Sequence, residues 1–496
     1  MRKSLFVPLF AAAFLASCAI GPNYQPPAIS APNSFRAAPA TTTNNSESLA
    51  DLKWWEVFKD EKLQELERVA LEQNYDLREA AARVEAASAA LGVTQSNQFP
   101  NVSANADIAT TRGSRNGATP LPASFAPSQN RTFGASTLSL LSFEIDIWGR
   151  LRRSTEAARA NLLSARENRK AVMTTLVSEV AAAYFSLREL DYQLEISQRT
   201  LATRQESLDL IKNRQSGGVA TLLDLRQAEQ LVYTAAETIP ALQQEIEQTE
   251  NRISLLLGKN PGEITRGKSL TEQEMPPDVP AGLPSALLEC RPDIQAAEQA
   301  LIAANAEIGV AKASYFPQIS LTGFLGGQDT QLSSLFSGPS SMWNFTPQAT
   351  QPIFAAGRLK SNVRLSQALR DSALIQYEKT IQTAFTEVSN ALIARQRVRE
   401  SRLQQELLVT ALQDRTRLAY VRYRGGVDTL LNALDSDRDL FQAELTLSQI
   451  RLNELNSVVQ LYKALGGGWQ SSTEPAERPN LKTRGLREKA DRTCVK

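Results

Sequence analysis

The chain has 496 residues, with 54 Lys and Arg against 53 Asp and Glu, a formal net charge of +1 and no histidine. So even a balance concentrates no positive patch for a nucleic acid, and without imidazole the usual general base, the commonest metal ligand and every Ser-His-Asp arrangement are missing. Three cysteines and four methionines supply neither a disulfide framework nor a soft-metal ladder, and no phosphate-binding loop is present.

Arg2 and Lys3 precede an apolar run from Leu5 to Leu15, then Leu15-Ala16-Ser17-Cys18. Residues 1–17 read as a lipoprotein signal peptide, with Cys18 as the acylated first residue of the mature chain. The alternative is an ordinary secretory signal with an incidental cysteine. Ala19, rather than an aspartate that would favour inner-membrane retention, points to the outer membrane. A single acyl chain anchors weakly, so a stable membrane protein needs further insertion. Cys290 and Cys494 are expected to be unpaired bystanders. Residues 18–58 form a lipidated leading segment, rich in Pro, Ala, Ser, Thr and Asn between Ile20 and Ala50 and therefore extended.

The remainder is written twice. Asp76–Ser103 reads against Asp293–Ser320 at an offset of 217, and Arg150–Gly258 reads against Arg358–Gly466 at an offset of 208. The nine-residue difference falls between Phe99 and Gly149, where turn-forming residues concentrate. Repeat 1 occupies 59–283, repeat 2 occupies 284–469, and a polar tail, 470–496, follows, for which disorder is expected.

Within repeat 1, Asn101–Thr111 and Thr132–Ile145 predict a strand hairpin around a Gly/Pro/Ser/Asn loop. Arg150 to about Gln215 contains neither proline nor glycine, which predicts one helix of about 100 Å. Leu187, Leu194, Leu201 and Leu208 recur every seven residues, with Leu190 and Ile211 alongside, as in a coiled coil. Gly217-Gly218 stops this helix, and a return helix runs from about Thr221 to Leu257. Repeat 2 predicts strands at Gln318–Gly326 and about Trp343–Phe354, a helix from Arg358 to Tyr423, a stop at Gly425-Gly426 and a return from Leu430 to Leu465.

After the signal no stretch approaches the roughly 20 apolar residues of a transmembrane helix, so any further crossing is by strands. Four strands cannot close a barrel. Two copies give eight strands and a filled interior, whereas three give twelve and leave a passage. A soluble coiled-coil hairpin accounts for the helices but leaves the strand segments unexplained.

Cys18, Gly21-Pro22-Asn23-Tyr24, Trp54-Trp55, Phe143 to Arg152, Arg291-Pro292-Asp293, Phe316-Pro317 and Leu461 to Trp469 together resemble the outer membrane factors of tripartite efflux pumps. The likeness is to the lipoprotein branch that serves resistance-nodulation-division (RND) transporters. It implies an α+β membrane protein: a homotrimer with a twelve-stranded transmembrane β-barrel continuous with a periplasmic α-helical barrel. Such a protein is a passive duct in contact with outer membrane lipid. A periplasmic adaptor meets its helical tips, and an inner-membrane RND transporter supplies the energy. The resemblance implies neither an enzyme nor a cofactor beyond the lipid on Cys18, and no nucleic acid. Cys290 departs from the arginine common before Arg-Pro-Asp.

The resemblance assigns adaptor docking to Gly217, Gly218 and Val219 and to Gly425, Gly426 and Val427. It assigns a periplasmic gate to Leu431, Asp435 and Arg438, while another branch carries an aspartate where this chain has Asn432. Asp435, Asp437, Arg438 and Asp439 form a charged constellation about two turns into the return helix; Asp435 and Asp439 share a face and Arg438 stands three residues from Asp435, within reach of an ion pair, so a solvated charged face is the bland alternative. The matched positions in repeat 1, Gln227 and Gln230, carry no charge. The competing functions are a channel for type I protein secretion and a structural coiled-coil lipoprotein.

Overall fold

A computed structural model describes residues 19–29, 32, 34–36, 57–112, 130–274 and 284–467. The signal peptide, Cys18, Cys494 and the tail 470–496 lie outside the described residues. The elements run α1 (Glu61–Gln73), α2 (Tyr75–Ser96), β1 (Asn101–Arg112), β2 (Asn130–Ile145), α3 (Arg150–Ser216), α4 (Leu222–Leu256), α5 (Pro284–Cys290), α6 (Pro292–Ala313), β3 (Gln318–Asp329), β4 (Ser341–Thr350), α7 (Arg358–Arg424) and α8 (Leu430–Ala464). Two compact units divide the chain. One takes residues up to 28 with 84–165 and 297–377, the other 29–83, 166–296 and 378 onward, so each draws on both repeats.

The first unit holds a four-stranded antiparallel sheet in the order β1-β2-β3-β4. Its register separates two kinds of face. Ala104, Leu138, Leu325 and Trp343 pair across the four strands in one row, and Val102, Leu140, Gly323 and Phe345 in the next row on that face. The alternating positions carry Ser103, Asn105 and Asp107 on β1, Thr137 and Ser139 on β2, and Asn344, Thr346 and Gln348 on β4. Side chains alternate at period two, so one face is mainly apolar and the other mainly polar, Phe324 and Met342 being apolar residues on the second.

Leu140 and Phe143 are an odd number of residues apart, which in a regular strand puts them on opposite faces. A bulge between them, with Ser142 at φ +32°, inserts one extra residue opposite β3. Phe143 and Ile145, opposite Leu321 and Ile319, thereby return to the apolar face. The last strand ends at Thr350, four residues before the expected Phe354, because Pro352 has no amide to pair. Pro347, opposite Leu321, is accommodated because β4 is an edge strand. Below the sheet, Trp148 stacks on Phe316 at 4.7 Å between ring centroids and donates from Nε1 to the Pro317 carbonyl at 2.8 Å. Ala157 and Ala160 of α3 meet Ala303 and Ala306 of α6, where small side chains let the backbones approach.

The second unit is helical. The helices α3 and α7 have 67 residues each and α4 and α8 have 35 each, and Leu187, Leu190, Leu208 and Ile211 of the expected seam are buried. Arg291 caps this unit's end of α8, donating to the Ala464 carbonyl at 2.9 Å while pairing with Asp293 and Glu387. That is the physical content of the Arg-Pro-Asp run: a cation satisfying a helix C-terminus.

Cys290 is disulfide-bonded, which corrects the expectation of an unpaired thiol; its partner lies outside the described residues. A Cβ on Gly466, at the end of the described chain, would stand 3.1 Å from the Arg291 Cα.

Candidate functional site: the helical tips and the acidic cluster beyond them

Both long helices end in the same way. Gly218 and Gly426 adopt φ of +76° and +74°. The amides of Val219 and Val427 then reach back to the carbonyls of Arg214 and Arg422 at 2.8 and 3.1 Å, while those of Gly218 and Gly426 bond Gln215 and Tyr423 at 3.0 Å. This paired pattern requires a left-handed residue, which glycine supplies without a Cβ penalty. Space around both glycines is open, and Val219 and Val427 are 77% and 67% exposed. Gly217 and Gly425 complete the turns.

The structure brings the two tips together. Leu208, Ile211, Ala228 and Val232 of the first hairpin pack with Leu430 and Leu434 of the second, and the Arg214 guanidinium lies 4.9 Å over the Tyr423 ring. The return helices start differently. Thr221 and Asp224 form a reciprocal capping box, whereas Thr429 makes no side-chain cap and Asp428 does the work instead. Its carboxylate accepts from Arg422 Nε at 3.0 Å, Asn432 Nδ2 at 2.7 Å and the Thr429 amide at 2.8 Å. Arg422 first, then Asn432, holds this carboxyl below the usual range. A cleft of about 450 Å³ between α7 and α8 is lined here by Arg415, Arg422, Asp428 and Asn432 among others.

Asp435 and Arg438 form the anticipated ion pair, 3.2 Å apart. Arg438 also reaches Asp439 at 3.4 Å, and Asp439 takes Arg415 of α7 at 3.0 Å. Leu431, half-exposed, lies one turn nearer the tip. Asp437, adjacent in sequence, faces the other way. It is buried and pairs with Arg204 of α3 at 2.6 Å. Sequence reasoning singled out Asp437 with the cluster but not Arg204, 233 residues away. The signal present was angular: at about 100° per residue Asp437 sits some 160° from Asp435, whereas Asp439 returns to within about 40° of it.

Among the described residues no group of three or more His, Cys, Asp or Glu is placed to hold a metal ion, and no helix is long and apolar enough to cross a membrane. The site consists of two exposed turns and a set of paired charges beyond them.

Residues 66–259 and 283–467 match the family model described as outer membrane efflux protein. The chain belongs to this family. Its curated relatives include the antibiotic efflux pump outer membrane protein ArpC of Pseudomonas putida, 38% identical with 96% of this chain and 98% of ArpC covered. They also include the cation efflux system protein CusC of Escherichia coli, 34% identical over 95% and 100%. Among solved structures, the open state of the MtrE outer membrane channel of Neisseria gonorrhoeae aligns with a TM-score of 0.82 at 32% identity, over 91% and 99% of the two chains. This outer membrane efflux protein is thus the channel component of an efflux system, and the two matched segments fall one in each repeat.

Proposed function

We propose that three copies of the chain close a twelve-stranded barrel in the outer membrane, with the long helices forming a periplasmic conduit. The duct passes small molecules such as antibiotics passively. The observation that carries this reading is the sheet: one face mainly apolar, one mainly polar, and β1 and β4 left as edges. Hydrocarbon tolerates no open edge, so the strands must continue into another copy. Strands of 10 to 16 residues are long enough to span when tilted.

The lipid on Cys18 supplements the barrel as an anchor. The two glycine tips meet a periplasmic adaptor, and an inner-membrane RND transporter drives the flux. Leu431, Asp435 and Arg438, repeated three times around an axis, narrow the passage near the tips. That relatives of comparable identity are named for antibiotics and for cations supports a duct that does not select its cargo, and no catalytic step is assigned to it.

Native mass spectrometry of the detergent-purified protein should give three chains. In a strain lacking its other efflux channels, deleting this gene should raise accumulation of a fluorescent dye, and restoring it should reverse the effect. A monomer, or accumulation indifferent to the gene, contradicts the proposal.

A further inference from the structure

Every residue from Ala19 to Tyr24 is held by the first unit. The Ile20 amide bonds the Trp148 carbonyl at 3.0 Å. Gly21 adopts φ +114°, and a Cβ there would fall 2.5 Å from the Gly309 Cα. A Cβ on Gly309, inside α6, would in turn meet the Ile20 carbonyl oxygen at 2.8 Å, and one on Gly149 would meet the Ala19 Cα at 2.7 Å. The segment crosses α6 glycine on glycine, with no room for a methyl group on either side.

Polar clamps complete the seat. The guanidinium of Arg153, a residue only 5% exposed, donates from Nη2 to Asn23 Oδ1 at 2.7 Å and to the Gly21 carbonyl at 3.4 Å. Asn305, equally buried, donates to the Pro22 carbonyl at 2.9 Å. Tyr24 donates its hydroxyl to Glu298 at 3.0 Å.

The internal duplication supplies matched positions in the same molecule. The seat draws on both repeats, α3 from the first and α6 from the second, so its matched positions lie on α7 and α2. Among the described residues nothing lies within 4 Å of a Cβ on Gly92, the counterpart of Gly309, or on Gly357, the counterpart of Gly149 with the same positive φ. The clamps are what differ: Arg153, Asn305 and Glu298 are matched by Ser361, Ser88 and Ala81.

We propose that Ile20–Tyr24 is a docking peptide and that its seat on α3 and α6, rather than an acyl chain on Cys18, fixes the leading segment to the channel body. The seat recognises an extended chain with glycine at its second position, an acceptor side chain at Asn23 and a phenol at Tyr24. The two repeats build it jointly, Arg153 coming from the first and Asn305 and Glu298 from the second. Acylation then adds membrane affinity to an end already positioned, and the inference stands whether or not Cys18 is acylated.

The test is the rate at which chymotrypsin cleaves after residue 24 in the purified full-length protein, followed by intact mass. Cleavage of a docked peptide tracks its opening equilibrium. The wild type and Cys18→Ser should resist equally. Arg153→Ala/Asn305→Ala should be cut about 10- to 100-fold faster, the range expected for losing charge-assisted hydrogen bonds. Ser361→Ala/Ser88→Ala should match the wild type. Should the clamp variant fail to fold, Tyr24→Phe keeps the cleavage site, loses only the Glu298 bond and should be cut several-fold faster. Wild-type rates in both seat variants, or a Cys18→Ser protein cut as fast as they are, would overturn the proposal.

Discussion

Arg204 Nε stands 2.6 Å from Asp437 Oδ2, with the two side chains 3% and 11% exposed. Arg204 also donates to the Leu231 carbonyl at 3.0 Å, and its guanidinium lies 4.9 Å over Phe441. Further along the same antiparallel seam, Arg199 pairs with Glu444 at 2.7 Å and Ser448 donates to Glu189 at 3.0 Å. Repeat 1 is thus tied to the return helix of repeat 2 by a row of polar contacts, of which Arg204–Asp437 and Glu189–Ser448 are buried.

Removing one partner of such a pair leaves an uncompensated buried charge, at a cost of about 3–5 kcal/mol. Asp437→Ala should therefore speed hydrogen exchange in residues 430–441 by about 100-fold or more. Arg204→Met/Asp437→Leu, which removes both charges, should return exchange close to wild type. An Asp437→Ala protein with unchanged exchange contradicts the assignment of this pair as a tie.

At the tips, Gly218→Glu/Gly426→Glu forces two left-handed backbones on residues that pay about 1–2 kcal/mol each for them. Open surroundings mean that the trimer should still assemble. Cross-linking to the adaptor and export should both fall. Normal cross-linking and export in the assembled double variant would remove docking from these turns.

The two faces of the sheet make opposite predictions. Leu138→Arg places a charge in the apolar row, where it costs about 2–4 kcal/mol at mid-membrane depth, and should reduce the yield of membrane-inserted protein. Asn105→Arg on the polar face should insert normally and alter ion selectivity. Equal insertion of both variants, measured by membrane fractionation, would show that the faces are misassigned.

Metabolic labelling with a radioactive fatty acid should mark the wild type and not Cys18→Ser. Label on the Cys18→Ser protein would rule out acylation at that residue.

Glu67 of α1 is buried, and burial raises its carboxyl well above the usual carboxylate range. The folded state therefore retains a proton that the unfolded state releases above about pH 4.5. Stability from this group is fully present below that value and is lost as pH rises toward the folded pKa, at about 1.4 kcal/mol per pH unit. Glu67→Gln should accordingly melt higher than wild type at pH 7.5, and the gap should close toward pH 4.5. Parallel melting curves across that range would show that Glu67 does not titrate with folding.

The long helices were legible because sixty-odd residues without proline or glycine admit little else, and the tips because paired glycines reverse a helix. The β2 bulge was not: it is a register fault in a pairing with β3, about 180 residues away in sequence, and no local pattern specifies it. Asp435 and Arg438 were legible as an (i, i+3) pair, whereas Arg204 owes its role to a partner on another helix. The Gly21-Pro22-Asn23-Tyr24 run was recognisable as a family trait, but its reason, a crossing over Gly309 beneath Arg153, exists only once the two repeats are folded together.

The central claim is a trimeric duct narrowed by Leu431, Asp435 and Arg438. One exposed ion pair contributes only about 0–1 kcal/mol, so three symmetric sets with their leucines must act together. Single-channel recording in planar bilayers tests this most directly. The wild-type trimer should conduct weakly, and Asp435→Ala/Arg438→Ala should raise its conductance, while Gln227→Ala/Gln230→Ala leaves it near wild type. No channels from any trimer, or a conductance in the Asp435/Arg438 variant equal to wild type with trimer content unchanged, would contradict the account.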